Sequence, residues 1–214
     1  MHGYQREFIE FAIRNGVLRF GEFTLKSGRV SPYFFNSGSF SSGAAIARLG
    51  RYYAETIARA ELGFDMLFGP AYKGIPLAVA AVIALADCHG RDVPYAFNRK
   101  EVKDHGEGGL TVGAPLQGRV LIVDDVISAG TSVNESVRLI RSVGAEPAGV
   151  VVAVDRQERS DGDRSAIQEV EQRHGIPVLR IITLDHIVSC LSGMSNMDDV
   201  LARIHAYRIQ YGIK

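Results

Sequence analysis

Residues 120–132 read Val-Leu-Ile-Val-Asp-Asp-Val-Ile-Ser-Ala-Gly-Thr-Ser, an order that few folds accommodate. The uninterrupted aliphatic run from Val120 to Val123 is the pattern of a strand buried on both faces, which requires a parallel sheet with helices on each side. Beyond the turn, Val133, Val137, Ile140 and Val143 recur at helical spacing until Gly144 stops the helix. Between strand and helix, Ser128, Ala129, Gly130, Thr131 and Ser132 set small side chains, hydroxyls and backbone N–H groups at a helix N-terminus, where a phosphate is favoured. Asp124 and Asp125 stand at the carboxyl end of the strand, suited to accept from the vicinal hydroxyls of a sugar or to hold Mg²⁺.

Taken singly, these residues have plainer explanations: two acids can merely end a strand, and Thr131 or Ser132 can merely cap a helix. The combination argues against that. No Gly-x-x-x-x-Gly-Lys-Ser/Thr sequence occurs, and Gly106, Gly108 and Gly109 do not follow a strand as a dinucleotide fingerprint requires. ATP-hydrolase and Rossmann dehydrogenase readings therefore recede.

The 214 residues fit one α/β domain, residues 1–214, and a 46% hydrophobic content suffices for a sizeable core. Lys plus Arg and Asp plus Glu both number 24, so no global basic field exists for nucleic acid or an anionic membrane, and any anion site must be local. Cys88 and Cys190 lack CxxC spacing and a nearby His cluster, which favours free thiols over a disulfide or zinc site. The longest apolar stretch, residues 75–86, is too short to span a bilayer, and the N-terminus carries no signal-peptide apolar region. A cytoplasmic protein with no membrane partner is expected.

Residues 4–15 read as an amphipathic helix burying Phe8, Ile9, Phe11, Ala12 and Ile13. Two β-like runs, 20–25 and 30–36, flank Lys26-Ser27-Gly28-Arg29 as a hairpin-like small appendage. A helix over 43–60 leads to a strand over 65–69, the turn 70–74 and an apolar helix from Ile75. Residues 95–99 read as a strand, 101–111 as a polar Gly-rich loop, 149–154 and 178–184 as further strands, and 198–207 as a last helix. This alternation predicts a doubly wound, mainly parallel sheet flanked by helices.

In such sheets ligands bind at the carboxyl ends of strands. Tyr72 and Lys73 lie in a turn bracketed by Gly69, Pro70 and Gly74, whose N–H groups can approach a diphosphate closely. Residues 98–109 gather Arg99, Lys100, Lys103 and His105 beside three glycines. Charge alone makes this a solvated loop, and Glu101, Asp104 and Glu107 are assigned no more than that. For the cations a lid role is favoured, because a polyanionic leaving group needs positive charge that arrives on closure and excludes water.

Residues 120–132 closely resemble the phosphoribosyl-pyrophosphate loop of the type I phosphoribosyltransferases: apolar strand, two acids, two apolar residues (here Val126 and Ile127), then Thr or Ser-Ala-Gly-Thr. The turn at residues 70–74 resembles that family's pyrophosphate loop. Arg-Lys-x-x-Lys-x-His-Gly, intact from Arg99 to Gly106, resembles the pattern of its orotate-using branch, and the likeness extends to Lys26, to Phe34-Phe35 and to Arg156. What the resemblance implies is a single type I domain, with about residues 1–40 forming a hood over the base site and a mobile lid loop. It implies glycosyl transfer from 5-phospho-α-D-ribose 1-diphosphate to orotate, with Mg²⁺ held mainly through substrate oxygens and at most by Asp124 and Asp125. It also implies a homodimer whose lid residues reach the neighbouring site. The sugar diphosphate falls to Lys26, Tyr72, Lys73, Arg99, Lys100, Lys103, His105 and residues 124–132, with Lys73, Lys100, Lys103, His105, Asp124 and Asp125 as the catalytic set. Orotate falls to Phe34, Phe35, Ser128 and Arg156.

That base set makes chemical sense, since a flat carboxylated pyrimidine needs an aromatic or apolar face, amide partners and a cation with a planar fork. From the residues alone, Phe34 and Phe35 read as core, at least in one ring, and Arg156 as a surface ion pair. Ser128 departs from the Thr common at that family position but keeps the hydroxyl. Two other classes are weighed. A purine-type relative would share residues 124–132 without the full cationic lid. A non-catalytic regulator of this fold would bind nucleic acid, for which the chain has no basic surplus and no added helix pair.

Overall fold

A computed structural model describes residues 1–103, 109–160 and 162–213. Its centre is a six-stranded sheet in the order β5-β4-β3-β6-β7-β8. The strands are β3 (Met66–Gly69), β4 (Tyr95–Lys103), β5 (Gly109–Gly113), β6 (Arg119–Val123), β7 (Glu146–Asp155) and β8 (Val178–Thr183). All pairs are parallel except β4 with β5. A separate antiparallel pair, β1 (Leu18–Thr24) and β2 (Val30–Phe35), forms the hairpin near the N-terminus, with Gly28 at φ +80° in its turn.

Side-chain alternation along the strands divides the interior in two. Leu67, Leu121, Val123, Val151, Ala153 and Ile181 point to one face, where α1 (Gly3–Arg14), α2 (Gly43–Arg59), α3 (Gly74–His89) and α6 (Leu184–Leu191) cover them. Met66, Phe68, Val120, Ile122, Val150 and Val152 point to the other, under α4 (Thr131–Ser142) and α5 (Ala166–His174). A final helix, α7 (Asp198–Tyr211), contributes Ile204 to the first core. α1 joins the hairpin to that core: Phe8 packs against Phe35, Phe40 and Tyr52 at ring-centroid distances of 6.3, 6.5 and 5.2 Å.

The expected doubly wound sheet is present, with differences of detail. The loop expected over residues 101–111 is shorter, because β4 runs on to Lys103 and β5 begins at Gly109. An irregularity in register between Asn98 and Lys103 lets the two strands stay paired despite the polar sequence. α5 and α6 escaped the sequence reading. Each is shorter than ten residues, and its start is written in side-chain capping, Ser165 accepting from Gln168 N–H and Thr183 from His186 N–H. Among the described residues no helix is long and apolar enough to cross a membrane.

Helices α2 and α3 meet most closely at Gly50, where a Cβ would run into the carbonyl of Ala80 on α3. Gly50→Ala should therefore cost about 1–3 kcal/mol despite its gain in helix propensity, measured as a lowered denaturation midpoint. An unchanged midpoint would mean that the two helices separate freely.

Candidate active site

The chain passes from β3 outward to β4, then returns to the other side of β3 as β6, so the connections after β3 and β6 diverge from neighbouring strands. That is a topological switch point, where open α/β sheets bind ligands. Residues 70–74 leave β3 and residues 124–130 leave β6, with Met66, Leu67 and Phe68 paired to Val120, Leu121 and Ile122.

The two acids face different surroundings within this crevice. Asp125 is 7% exposed, and its Oδ2 accepts from Lys73 Nζ at 2.7 Å and from the Ser37 hydroxyl at 2.7 Å, while Oδ1 accepts from Val126 N–H at 2.9 Å. Asp124 is 8% exposed and accepts from Asp125 N–H at 2.8 Å; its own carbonyl accepts from the Tyr53 hydroxyl at 2.8 Å. Burial first, and the neighbouring Asp125 charge second, raise Asp124 to about 6, against the easing effect of Asp125 N–H, the Ser132 hydroxyl and Lys73. Lys73 itself is 54% exposed, so its ammonium can reach an incoming anion as well as Asp125.

Gly130, at φ +70°, turns the chain into α4 and presents the first N–H groups of that helix. Ser128, Ala129 and Thr131 are exposed there and Ser132 is half-buried, whereas Ile127 turns inward to the smaller core and Val126 packs on the larger one. Tyr72 is 68% exposed, and Lys100 Nζ stands 5.0 Å from the centre of its ring. Arg99 is half-buried on β4 and Lys103 ends that strand; His105 lies outside the described residues.

The residues expected at the base divide. Phe35 is 7% exposed and packs in the core. Phe34, one residue earlier and so on the opposite side of β2, stacks with Phe23 at 5.5 Å beneath Arg19. Arg156 follows β7 and belongs with the other face of β2: its guanidinium lies 4.1 Å over the Tyr33 ring and binds Glu158 at 2.6 Å and Ser31 Oγ at 2.9 Å. It is a half-buried pair, with side chains 14% and 13% exposed, in place of the surface pair read from its charged neighbourhood. Lys26 is exposed in the hairpin turn.

Several supporting residues escaped the sequence reading. Asn98 Oδ1 accepts from Ala71 N–H at 2.7 Å, tying the turn after β3 to the next strand. Ser37, Tyr53 and Glu158 hold the groups described above. Tyr53 is fully buried in the core, and nothing local in the sequence marks its hydroxyl.

A parallel α/β sheet with paired acids and a helix N-terminus at its switch point defines the phosphoribosyltransferase class, and residues 39–178 match the phosphoribosyl transferase domain. An orotate phosphoribosyltransferase of Thioalkalivibrio sulfidiphilus is 60% identical over 213 residues, spanning 100% of both chains. The crystal structure of the Francisella tularensis orotate phosphoribosyltransferase superposes with a TM-score of 0.88 at 45% identity, covering 96% of this chain and 99% of that one. That of Mycobacterium tuberculosis, in complex with 5-phospho-alpha-D-ribosyl 1-diphosphate, gives 0.64 at 26% identity over 86% and 98%. The chain belongs to the orotate phosphoribosyltransferase family.

The raised pKa of Asp124 has a consequence for stability. The unfolded carboxyl ionises near its ordinary value while the folded one holds its proton to about 6. The folded state therefore binds more protons between these values, and ionising Asp124 at higher pH costs stability. Asp124→Asn should stabilise the free protein by roughly 2 kcal/mol at pH 8, a gain that shrinks as pH falls through 6 and is gone below the unfolded value. Calorimetry at several pH values reads this directly; an equal gain at pH 3.5 and pH 8 would rule out the ionisation as its cause.

Proposed function

We infer that this protein transfers the ribose 5-phosphate group from 5-phospho-α-D-ribose 1-diphosphate to orotate, giving orotidine 5'-monophosphate and diphosphate in pyrimidine nucleotide synthesis. Besides the family membership, the observation that carries this is the buried Asp124–Asp125 pair facing Lys73 where β3 and β6 part.

The 5'-phosphate takes the N-terminal end of α4, residues 129–132, beside Val126 and Ile127, and the ribose hydroxyls donate to Asp124 and Asp125. The diphosphate takes Lys26, Tyr72, Lys73, Arg99 and Lys100, with Lys103 and His105 closing from the lid. Orotate takes Arg156 through its carboxylate, Ser128, and the Phe34–Phe35 segment. β2 pairs only with β1 among the described strands, so its outer edge offers backbone donors and acceptors even though the Phe35 ring is committed to the core. As the bond from C1' to the diphosphate oxygen breaks, the ring nitrogen of orotate, already anionic, forms the new bond. No residue need be a nucleophile or a strong base. The cations lower the barrier by neutralising charge that grows on the leaving diphosphate, and the two acids face the positive charge that develops on the ribose.

Mg²⁺ fits this site only as a partner of substrate. Among the described residues no group of three His, Cys, Asp or Glu side chains could cage a metal, and both Asp125 oxygens already accept hydrogen bonds. Held by diphosphate and ribose oxygens, with at most Asp124 or Asp125, Mg²⁺ would add charge neutralisation to the leaving group. The single domain with residues 1–40 as a hood, the homodimer with lids crossing between subunits, and a cytoplasmic setting complete the proposal. The unpaired Cys88 and Cys190 accord with the last.

Orotate absorbance should fall on adding the sugar diphosphate and Mg²⁺, with no reaction of hypoxanthine, adenine or uracil. A chelator should stop turnover without moving the melting temperature. If another base reacted and orotate did not, Phe34, Phe35 and Arg156 would lose their assigned roles. Lys103→Ala should lower turnover roughly 10²-fold at saturating substrates with its circular dichroism spectrum intact. A rate equal to wild type would remove the lid from the mechanism.

A further inference from the structure

Arg156 sits in a frame too complete for a solvated cation. Its Nε and Nη2 both donate to Glu158 Oε1, at 2.9 and 2.6 Å, and Nη2 also donates to Ser31 Oγ at 2.9 Å. The Tyr33 ring covers one face of the guanidinium, and the Tyr33 hydroxyl donates to the same Glu158 oxygen at 3.2 Å. Ser31 Oγ in turn donates to the Tyr33 carbonyl at 2.7 Å. One edge and one face of the planar fork are thus fixed, Tyr207 lies against both Arg156 and Glu158, and none of the hydrogen bonds named above uses Nη1.

Glu158 is itself anchored. Its stretch pairs with the end of the chain: Arg159 N–H donates to the Tyr211 carbonyl at 2.8 Å, Ile213 N–H donates to the Gln157 carbonyl at 3.0 Å, and Glu158 bridges Gly212. Gln157 holds φ +52°, which turns the chain so that Arg156 and Glu158 meet. A buried ion pair is weak grounds for stability, because desolvating both charges offsets most of their attraction. It is a better device for orientation.

We propose that Glu158 is a positioning residue for the base: it holds the Arg156 guanidinium by its Nε–Nη2 edge, with one face on Tyr33 and Nη2 on Ser31, so that the Nη1 side meets the carboxylate of orotate in a fixed direction. This rests on the assignment of Arg156 to that carboxylate. Without Glu158 the guanidinium can swing about its stem, and binding must then restrain it at the expense of affinity for orotate alone.

Steady-state kinetics on Glu158→Ala, Glu158→Gln, Glu158→Asp and Arg156→Ala, with melting temperatures, test this. For Glu158→Ala the expected result is an orotate KM raised roughly tenfold to a hundredfold, with kcat and the KM for the sugar diphosphate within about twofold of wild type. Glu158→Gln, which keeps an acceptor at the same reach, should restore most of the loss. Glu158→Asp, one methylene shorter, should not, and this contrast decides the matter if Glu158→Ala fails to fold. An unchanged orotate KM in Glu158→Ala or Glu158→Asp, or both KM values rising together, overturns the positioning role. If Arg156→Ala leaves the orotate KM unchanged, the carboxylate assignment itself fails. If Arg156→Ala is impaired and the Glu158 variants are not, only the positioning role falls.

Discussion

Parallel pairing of β3 with β6 brings Leu67 alongside Leu121 and so obliges the two loops that follow to leave the same end of the sheet side by side. The pairing of Lys73 with the two acids depends on that adjacency. It lets Lys73, from the loop after β3, reach Asp125, from the loop after β6, across 52 positions of sequence at 2.7 Å. The strands themselves are held by aliphatic burial on both faces, which tolerates no shift of one residue, because such a shift would exchange the two cores. Precision at the site is therefore inherited from packing in the sheet and requires no rigid loop.

The acids are kept where water is scarce, and that placement works against folding. Burial and mutual repulsion leave Asp124 reluctant to ionise. Asp125 is instead given three donors: a lysine, a hydroxyl from the turn after the hairpin and a backbone N–H. Side chains from distant parts of the chain, Tyr53 on α2 and Ser37 after β2, are spent on orienting this pair. Native proteins commonly give up stability at the site that carries their function, and the unequal treatment of two neighbouring carboxylates is how that concession is distributed here.

The sheet and the strand–acids–turn–helix unit of residues 120–143 were legible in the sequence because both are local. Four aliphatic residues, two acids and a small hydroxyl-rich turn lie within thirteen consecutive positions, and their geometry follows from strand and helix rules. The cluster around Arg156 was less legible, because its parts meet only through tertiary contacts. Period-two alternation along β2 sends Phe34 to one side and Tyr33 and Phe35 to the other, yet nothing local tells which side meets Arg156. The charged run after β7 read as surface, and the hairpin together with the return of the chain end beside Glu158 half-buries its first residues. Asn98 was equally silent, since its partner is a backbone N–H 27 residues away.

The division of the interior by the sheet has a consequence for how such a protein can vary. The hairpin with Tyr33 and Phe35 rests on the larger core beneath α1, α2, α3 and α6, while Ile127 and Val133, which seat the turn into α4, rest on the smaller one beneath α4 and α5. The hairpin and the seat of α4 thus stand on different cores, tied together by the strands between them and, across the crevice, by Val126, Ser37 and Tyr53. Sequence change beneath α4 and α5 is therefore felt at the hairpin only through these few ties, and change beneath the hairpin reaches the turn into α4 by the same route.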